Sequence, residues 1–231
     1  MNEKILGIIG GMGPEATANF YMKMIKATKA QKDQDHFRVI IDSNPKIPDR
    51  TEAILGTGES PVEALIQTAK NLQTLGVEAA AIPCITSHYF IEEVQREVNY
   101  PIINALEELR KHMLSLYPEG TKIGILATDG TIKTGLFQKN LMNSQVIYPS
   151  PTSQTEKVMK AIYGDKGIKW GNTGVEPLHL IKEAAHEMME KGAEVLILGC
   201  TEIGLVLKPN HISIPLIDPM EVMAQAVVRL S

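Results

Sequence analysis

Cysteine is nearly absent from these 231 residues: only Cys84 and Cys200 occur. So few cysteines in so long a chain exclude a disulfide scaffold and point to a reducing compartment. Two cysteines alone also cannot make a closed structural zinc site, which takes four ligands. Charge of one sign is equally scarce. The formal net charge is −4 and no basic block occurs, which argues against nucleic acid or a membrane surface as partner. Long hydrophobic runs are missing too, since none approaches the roughly 18 apolar residues of a membrane span. Ile5-Leu6-Gly7-Ile8-Ile9-Gly10 could imitate a short signal core. Its glycines, and the return of the same chemistry at Ile125-Leu126, favour a first strand and a cytoplasmic protein. Finally, no low-complexity linker divides the chain, so the join between its halves is expected to be structured, with the Pro101 segment as crossover.

What is present suits a packed α/β protein. The chain is 44% hydrophobic and 22% charged, a globular balance. Short apolar runs that end in Gly, Pro, Asp or Cys predict buried parallel strands over 4–9, 38–42, 79–83, 122–127, 145–148 and 195–198. Helical periods lie between them, over 15–30, 61–75, 91–98, 106–116, 154–162, 175–191 and 220–230. Leu65, Ala69, Leu72 and Leu75 put one helix face on a sheet. Gly76 and Gly192 read as C-terminal caps.

The halves repeat. Gly7 and Gly124 stand 117 residues apart, Cys84 and Cys200 116, and Pro101-Ile102-Ile103-Asn104 and Pro215-Leu216-Ile217-Asp218 114. A chain of 231 residues is close to twice that period. Both cysteines therefore close an apolar run at matching points. In open parallel sheets ligands bind beyond the carboxyl ends of the strands. There lie Gly10-Gly11-Met12-Gly13-Pro14, Ser43-Asn44-Pro45 with Asp49-Arg50, Cys84-Ile85-Thr86, Thr128-Asp129-Gly130-Thr131 and Cys200-Thr201-Glu202. If the halves face each other across a cleft, two thiols flank one ligand, and such a pair can take a proton from one face of a carbon and return it to the other. Both thiols are expected at helix starts, where the peptide dipoles favour thiolate.

Other readings compete. A buried, inert cysteine at a strand end is the ordinary case. Gly11-Met12-Gly13-Pro14-Glu15-Ala16 fits the dinucleotide fingerprint, but Asp42 lies about thirty residues on rather than the ~20 expected. Cys84 with His88 could be a nucleophile and base, yet a histidine four residues on along one helix is usually solvated or capping. That reading would also leave Cys200 without a role. His36, His112, His179, His186 and His211 are scattered and read as surface residues.

These residues together resemble the aspartate/glutamate racemase family, the cofactor-independent amino-acid racemases, and most closely its aspartate branch. The likeness runs nearly end to end. It rests on Gly10-Gly11-Met12-Gly13-Pro14, Asn44-Pro45 with Ile47-Pro48-Asp49-Arg50-Thr51, Pro83-Cys84 with Thr86 and His88, Leu126-Ala127-Thr128 with Gly130-Thr131, Gly199-Cys200-Thr201-Glu202, and Pro215-Leu216-Ile217-Asp218-Pro219-Met220.

The resemblance implies two pseudo-symmetric α/β domains, each a four-stranded parallel sheet flanked by helices, with the active site in the cleft between them. The first would span 1–102 plus 215–231 and the second 103–214. It implies a homodimer that racemises a small dicarboxylic amino acid, aspartate first, without pyridoxal phosphate, metal or other cofactor. The catalytic pair maps onto Cys84 and Cys200. The substrate-binding set is Met12, Asn44, Arg50, Thr86, Thr128, Thr131, Lys169, Thr201 and Glu202, with Lys166 the alternative to Lys169. Arg50 offers a planar fork suited to a carboxylate; a surface ion pair with Asp49 or Glu52 is its plainer role. Ile85 departs from the family, which usually has Asn there. Glutamate or broader specificity, a related cysteine-dependent isomerase or decarboxylase, and a non-catalytic amino-acid-binding protein are the alternatives.

Overall fold

The computed structural model describes residues 4–230. Eight strands occur among them: β1 Leu6–Gly10, β2 Val39–Ser43, β3 Ala79–Ala81, β4 Ile102–Ile103, β5 Lys122–Leu126, β6 Gln145–Ile147, β7 Val195–Leu198 and β8 Leu216–Ile217. The α-helices are α1 Pro14–Ala27, α2 Arg50–Leu55, α3 Val62–Thr74, α4 Ile91–Gln95, α5 Ala105–Leu116, α6 Asp129–Thr134, α7 Leu136–Asn140, α8 Pro151–Ser153, α9 Lys160–Tyr163, α10 Val175–Glu190, α11 Ile203–Val206 and α12 Pro219–Val228. A π-helical stretch, Gln154–Met159, joins α8 to α9. A 3-10 turn, Thr86–Phe90, precedes α4.

Two four-stranded parallel sheets result, ordered β2-β1-β3-β4 and β6-β5-β7-β8. The two orders are the same topology. The central strands are apolar throughout, Leu-Gly-Ile-Ile-Gly in β1 and Val-Leu-Ile-Leu in β7, because helices cover both faces of a parallel sheet. The helices answer with single apolar stripes; Leu65, Ala69 and Leu72 of α3 are fully buried against the first sheet, while Leu75 lies beyond the helix end and is exposed. Ile181, Ala184, Ala185 and Met188 of α10 do the same in the second half.

The repeat extends into packing. A Cβ on Gly7 would lie 2.8 Å from Val77 Cγ1, and one on Gly124 would lie 2.4 Å from Leu196 Cδ2 and 3.2 Å from Ala193 Cβ. Glycine at both points lets the loop before the next strand close over the sheet. Gly76 and Gly192 both carry positive φ after their helices, as expected. Two acidic side chains that the apolar pattern did not flag are matched as well. Glu78 Oε2 accepts from Ile5 N at 3.0 Å, and Glu194 Oε2 accepts from Lys122 N at 2.8 Å, each extending a strand ladder by one bond.

The chain divides into two compact units, Met1–Leu109 with Met220–Ser231, and Arg110–Pro219. The expected boundaries at 102/103 and 214/215 are therefore displaced. Leu216 and Ile217 hydrogen-bond beside β7 as the last strand of the second sheet, so the chain returns to the first unit only with α12. Likewise Pro101 leads into a strand rather than a crossover, and α5 carries the chain out of the first unit.

Candidate active site

Each cysteine stands at the switch point of its own sheet. After β1 the chain adds β2 on one side, then β3 on the other, so the loops after β1 and β3 diverge and leave room for a ligand. The same holds after β5 and β7. Cys84 follows the last residue of β3, Ala81, by three positions, and Ala81 pairs with Ile8. Cys200 follows Ile197 by three, and Ile197 pairs with Ile125. The strands thus deliver the two thiols to equivalent places. Both are free and buried, each about 6% exposed.

In the first unit the loops around Cys84 are tied together. Ser87 Oγ donates to Met12 Sδ at 3.3 Å, joining the turn after Cys84 to the loop after β1. Gly11 has a φ of +96°, and a Cβ there would meet the Asn44 backbone at 2.3 Å. Its glycine thus serves loop packing. Asn44 is occupied at both ends: Nδ2 donates to Thr68 Oγ1 at 3.3 Å and Oδ1 accepts from Lys46 N at 3.0 Å. Arg50 opens α2 after Asp49, whose Oδ1 caps the helix by accepting from Thr51 N and Glu52 N. It is buried, and its Nη1 donates to the Pro48 carbonyl at 3.0 Å and that of Ile47 at 3.3 Å. Helix α2 packs against the turn that starts at Thr86, itself buried. Ile85, where the resembled family has Asn, is fully buried.

Of the two ordinary roles expected for His88, solvated or capping, the structure shows the second, at the start of α5. The side chain is buried, with Nδ1 2.9 Å from the Cys84 carbonyl and Nε2 accepting from Ala105 N at 3.0 Å. Burial lowers its pKa from 6.5 to about 4, against the raising effect of the Cys84 and Ile85 carbonyls. Neutral and bonded at both nitrogens, it is no base for the thiol, and the Cys84/His88 hydrolase reading fails on this geometry.

The second unit treats its cysteine differently. Cys200 Sγ donates to Glu202 Oε2 at 3.1 Å and Thr201 Oγ1 donates to the same oxygen at 2.9 Å. Lys169 Nζ lies 2.9 Å from Glu202 Oε1 and 5.2 Å from the centre of the Tyr163 ring. Burial and then the Glu202 charge push the Cys200 thiol well above its ordinary value, against the weaker pull of Lys169. Burial also resists ionisation of Glu202, but the charge of Lys169 and bonds from Cys200, Lys169 and Thr201 outweigh it and hold the carboxyl below its usual range. The expected acidification by a helix start is therefore corrected for Cys200: α11 after it has four residues, and burial and charge decide its proton.

Of the two candidate lysines, Lys169 reaches the Cys200 cluster. Lys166 lines a separate surface cavity with Lys160, Asp165 and Glu176. Thr128 caps α6, accepting from Thr131 N at 3.4 Å, and its hydroxyl donates to Thr131 Oγ1 at 3.3 Å. Gln154, which opens the π-helical stretch, donates to Ala127 O at 2.9 Å and Asp129 Oδ1 at 2.8 Å, clamping this loop. Neither Gln154 nor the His88–Ala105 contact was picked out as part of the site in the sequence.

A broad specificity amino-acid racemase of Bacillus subtilis is 29% identical over 230 residues, covering 97% of this chain and 96% of the relative. The structure of Picrophilus torridus aspartate racemase superposes with a TM-score of 0.84 at 28% identity, covering 98% of this chain and 94% of that one. An aspartate racemase homologue from Pyrococcus horikoshii gives 0.75 at 25% identity, covering 99% and 98%. No helix among the described residues is long and apolar enough to cross a membrane. The model of the Asp/Glu/hydantoin racemase family matches residues 9–227, and the chain belongs to that family as an amino-acid racemase.

Proposed function

We propose that this racemase interconverts the enantiomers of an acidic amino acid, aspartate first, by two-base proton transfer between Cys84 and Cys200 without pyridoxal phosphate. The observation that carries the reading is the equivalent placement of the two thiols, each three residues beyond a strand position paired to the same register. One sulfur, as thiolate, takes the α-hydrogen as a proton and becomes a thiol. The electron pair left on Cα spreads into the α-carboxylate, where fixed donors stabilise it. The other sulfur, as thiol, gives its proton to the opposite face and becomes the thiolate. Atoms and charge balance, and the two thiols have exchanged roles.

Glu202, which accepts from Cys200 Sγ, favours Cys200 as a proton donor. By analogy with the resembled family, Cys84 works on the D-enantiomer and Cys200 on the L-enantiomer. The substrate-binding set proposed from the sequence is retained with one change: Glu202 acts on Cys200 rather than on substrate. The reading also retains a cytoplasmic enzyme working as a homodimer.

A second reading, broad specificity, is favoured by the state of the two basic side chains. Lys169 is already paired with Glu202, and Arg50 already donates to two backbone carbonyls. Both offer a distal carboxylate less than a bare cation would. Incubation of the D- and L-forms of aspartate, glutamate and a set of neutral amino acids in deuterated buffer, without pyridoxal phosphate, separates the readings. Chiral chromatography and α-deuterium incorporation are the readouts. Exchange confined to aspartate supports the first reading and exchange across neutral amino acids the second. No α-deuterium in any of them rejects both.

A further inference from the structure

We infer that His88 is a positioning residue for Cys84, holding the cysteine's carbonyl to the first residue of α5 so that the thiol is presented in one orientation. The inference rests on the two-base reading above. Its basis is the pair of bonds made by one buried imidazole. A backbone N–H can only donate, so the 3.0 Å contact from Ala105 N makes Nε2 the lone-pair nitrogen. The ring hydrogen must then sit on Nδ1, 2.9 Å from the Cys84 carbonyl, which accepts it. The tautomer follows from the partners, with no lone pair or proton left over for the thiol or a substrate.

The consequence for Cys84 is geometric. Its N–H already donates to Ile82 O at 2.8 Å. With the carbonyl held as well, both peptide groups flanking its α-carbon are fixed, and with them the direction of the Cα–Cβ bond. The anchor is distant in sequence: Ala105 lies seventeen residues beyond His88. It is firm in structure, because Asn104 Oδ1 caps the same helix by accepting from Leu106 N at 2.9 Å and Glu107 N at 3.3 Å. The second half is built differently at the matching point. Position 204, which matches 88 at the 116-residue offset of the cysteines, is glycine, and the Cys200 carbonyl is taken by Ile203 N at 3.2 Å. His88 therefore serves one thiol only.

That one-sidedness gives the test. Two variants are compared with the wild type: His88→Leu, which can make neither bond, and His88→Asn, whose amide can still donate to the Cys84 carbonyl. Turnover is measured from each enantiomer of the best substrate, with hydrogen or deuterium at Cα. Iodoacetamide alkylation of Cys84 and Cys200 in the folded proteins is followed by mass spectrometry. Misplacing a reacting group by a fraction of an ångström to an ångström costs on the order of 10- to 100-fold. His88→Leu is expected to lose that much in kcat with little change in KM. Its deuterium effect should rise in one direction only, and its alkylation rate should change at Cys84 and not at Cys200. His88→Asn should recover much of kcat.

Equal deuterium effects in both directions, parallel changes at both thiols, or an Asn variant no better than Leu would each overturn the inference. If His88→Leu does not fold, the Asn variant alone must still change Cys84 and spare Cys200. A wild type that racemises nothing overturns the two-base reading instead, while the alkylation comparison still decides what His88 does.

Discussion

Mild acidification should destabilise this protein through His88 before its carboxylates contribute much. The side chain has a pKa of about 4 in the folded protein against 6.5 when solvated, because burial disfavours the imidazolium. The unfolded chain therefore binds more protons than the folded one between those values. The stability owed to a neutral His88 is fully present above the upper value and is lost as pH falls through the window, levelling off below the lower value. At about pH 5 the unfolded side chain is almost wholly protonated and the folded one only about one-tenth, which integrates to a loss of about 2 kcal/mol relative to pH 7. Glu97, hydrogen-bonded to Lys70, is held below its usual range. So are Glu187 and Glu202, where burial opposes ionisation but bonded partners and lysine charge prevail. Such carboxylates lose their share only below about pH 4.5, so the interval from about pH 7 to 5 isolates the histidine.

The assay is urea unfolding of wild type and His88→Gln at about pH 7, 6 and 5. The substitution carries a constant cost from altered bonds, but glutamine does not titrate. The wild type should lose about 2 kcal/mol more than the variant across the interval. Parallel curves would show that His88 is free to protonate in the folded state, and the double-bonded neutral tautomer would be wrong.

Three further outcomes are expected. Cys84→Ala and Cys200→Ala should each cut racemisation by on the order of 1,000-fold or more, read by chiral chromatography; near-normal turnover by either removes the two-base scheme. Glu202→Gln should lower the pKa of Cys200, since a neighbouring negative charge is gone and Lys169 remains; the pH dependence of Cys200 alkylation checks it, and an unmoved midpoint refutes the charge argument. Lys169→Ala leaves the Glu202 carboxylate, about 6% exposed, without its cation, and should cost about 3 kcal/mol of stability; a loss under about 1 kcal/mol in urea unfolding would mean that water or another group already compensates the charge.

What could be read from the chain followed from local pattern. Strand runs such as Val195–Leu198, helical stripes such as Leu65, Ala69 and Leu72, and the glycine pairs 7/124 and 76/192 are all local signals, and they located six of the eight strands among the described residues. The two remaining, Ile102–Ile103 and Leu216–Ile217, are two residues long, too short to show any period. They surfaced only as matched Pro-x-Ile segments in the repeat, and misreading the second put the domain boundary too early. The contacts that define each thiol's surroundings are non-local. Lys169 meets Glu202 across thirty-three residues and His88 meets Ala105 across seventeen, and nothing in composition announces either. The nearest signal was the 116-residue spacing itself: Glu78 and Glu194 obey it, while His88 has glycine as its counterpart and Glu202 has Thr86.

That last mismatch bears on mechanism. Two thiols in identical surroundings would share one affinity for protons, and the singly ionised pair, the form that can racemise, would carry its proton on either sulfur equally. The halves keep the same sheet order yet differ where it concerns sulfur: Glu202 and burial bind a proton to Cys200, whereas the Cys84 side offers a neutral imidazole acting through the backbone. In the two-base scheme this divergence biases the shared proton of the mixed state toward Cys200. It cannot make the enzyme favour one enantiomer in kcat/KM, because enantiomers have equal free energy and the ratio of the two constants must equal the equilibrium constant of one. The asymmetry is therefore free to serve protonation alone. Its signature should be a single-direction change in isotope effect when either thiol's surroundings are altered, at unchanged equality of kcat/KM.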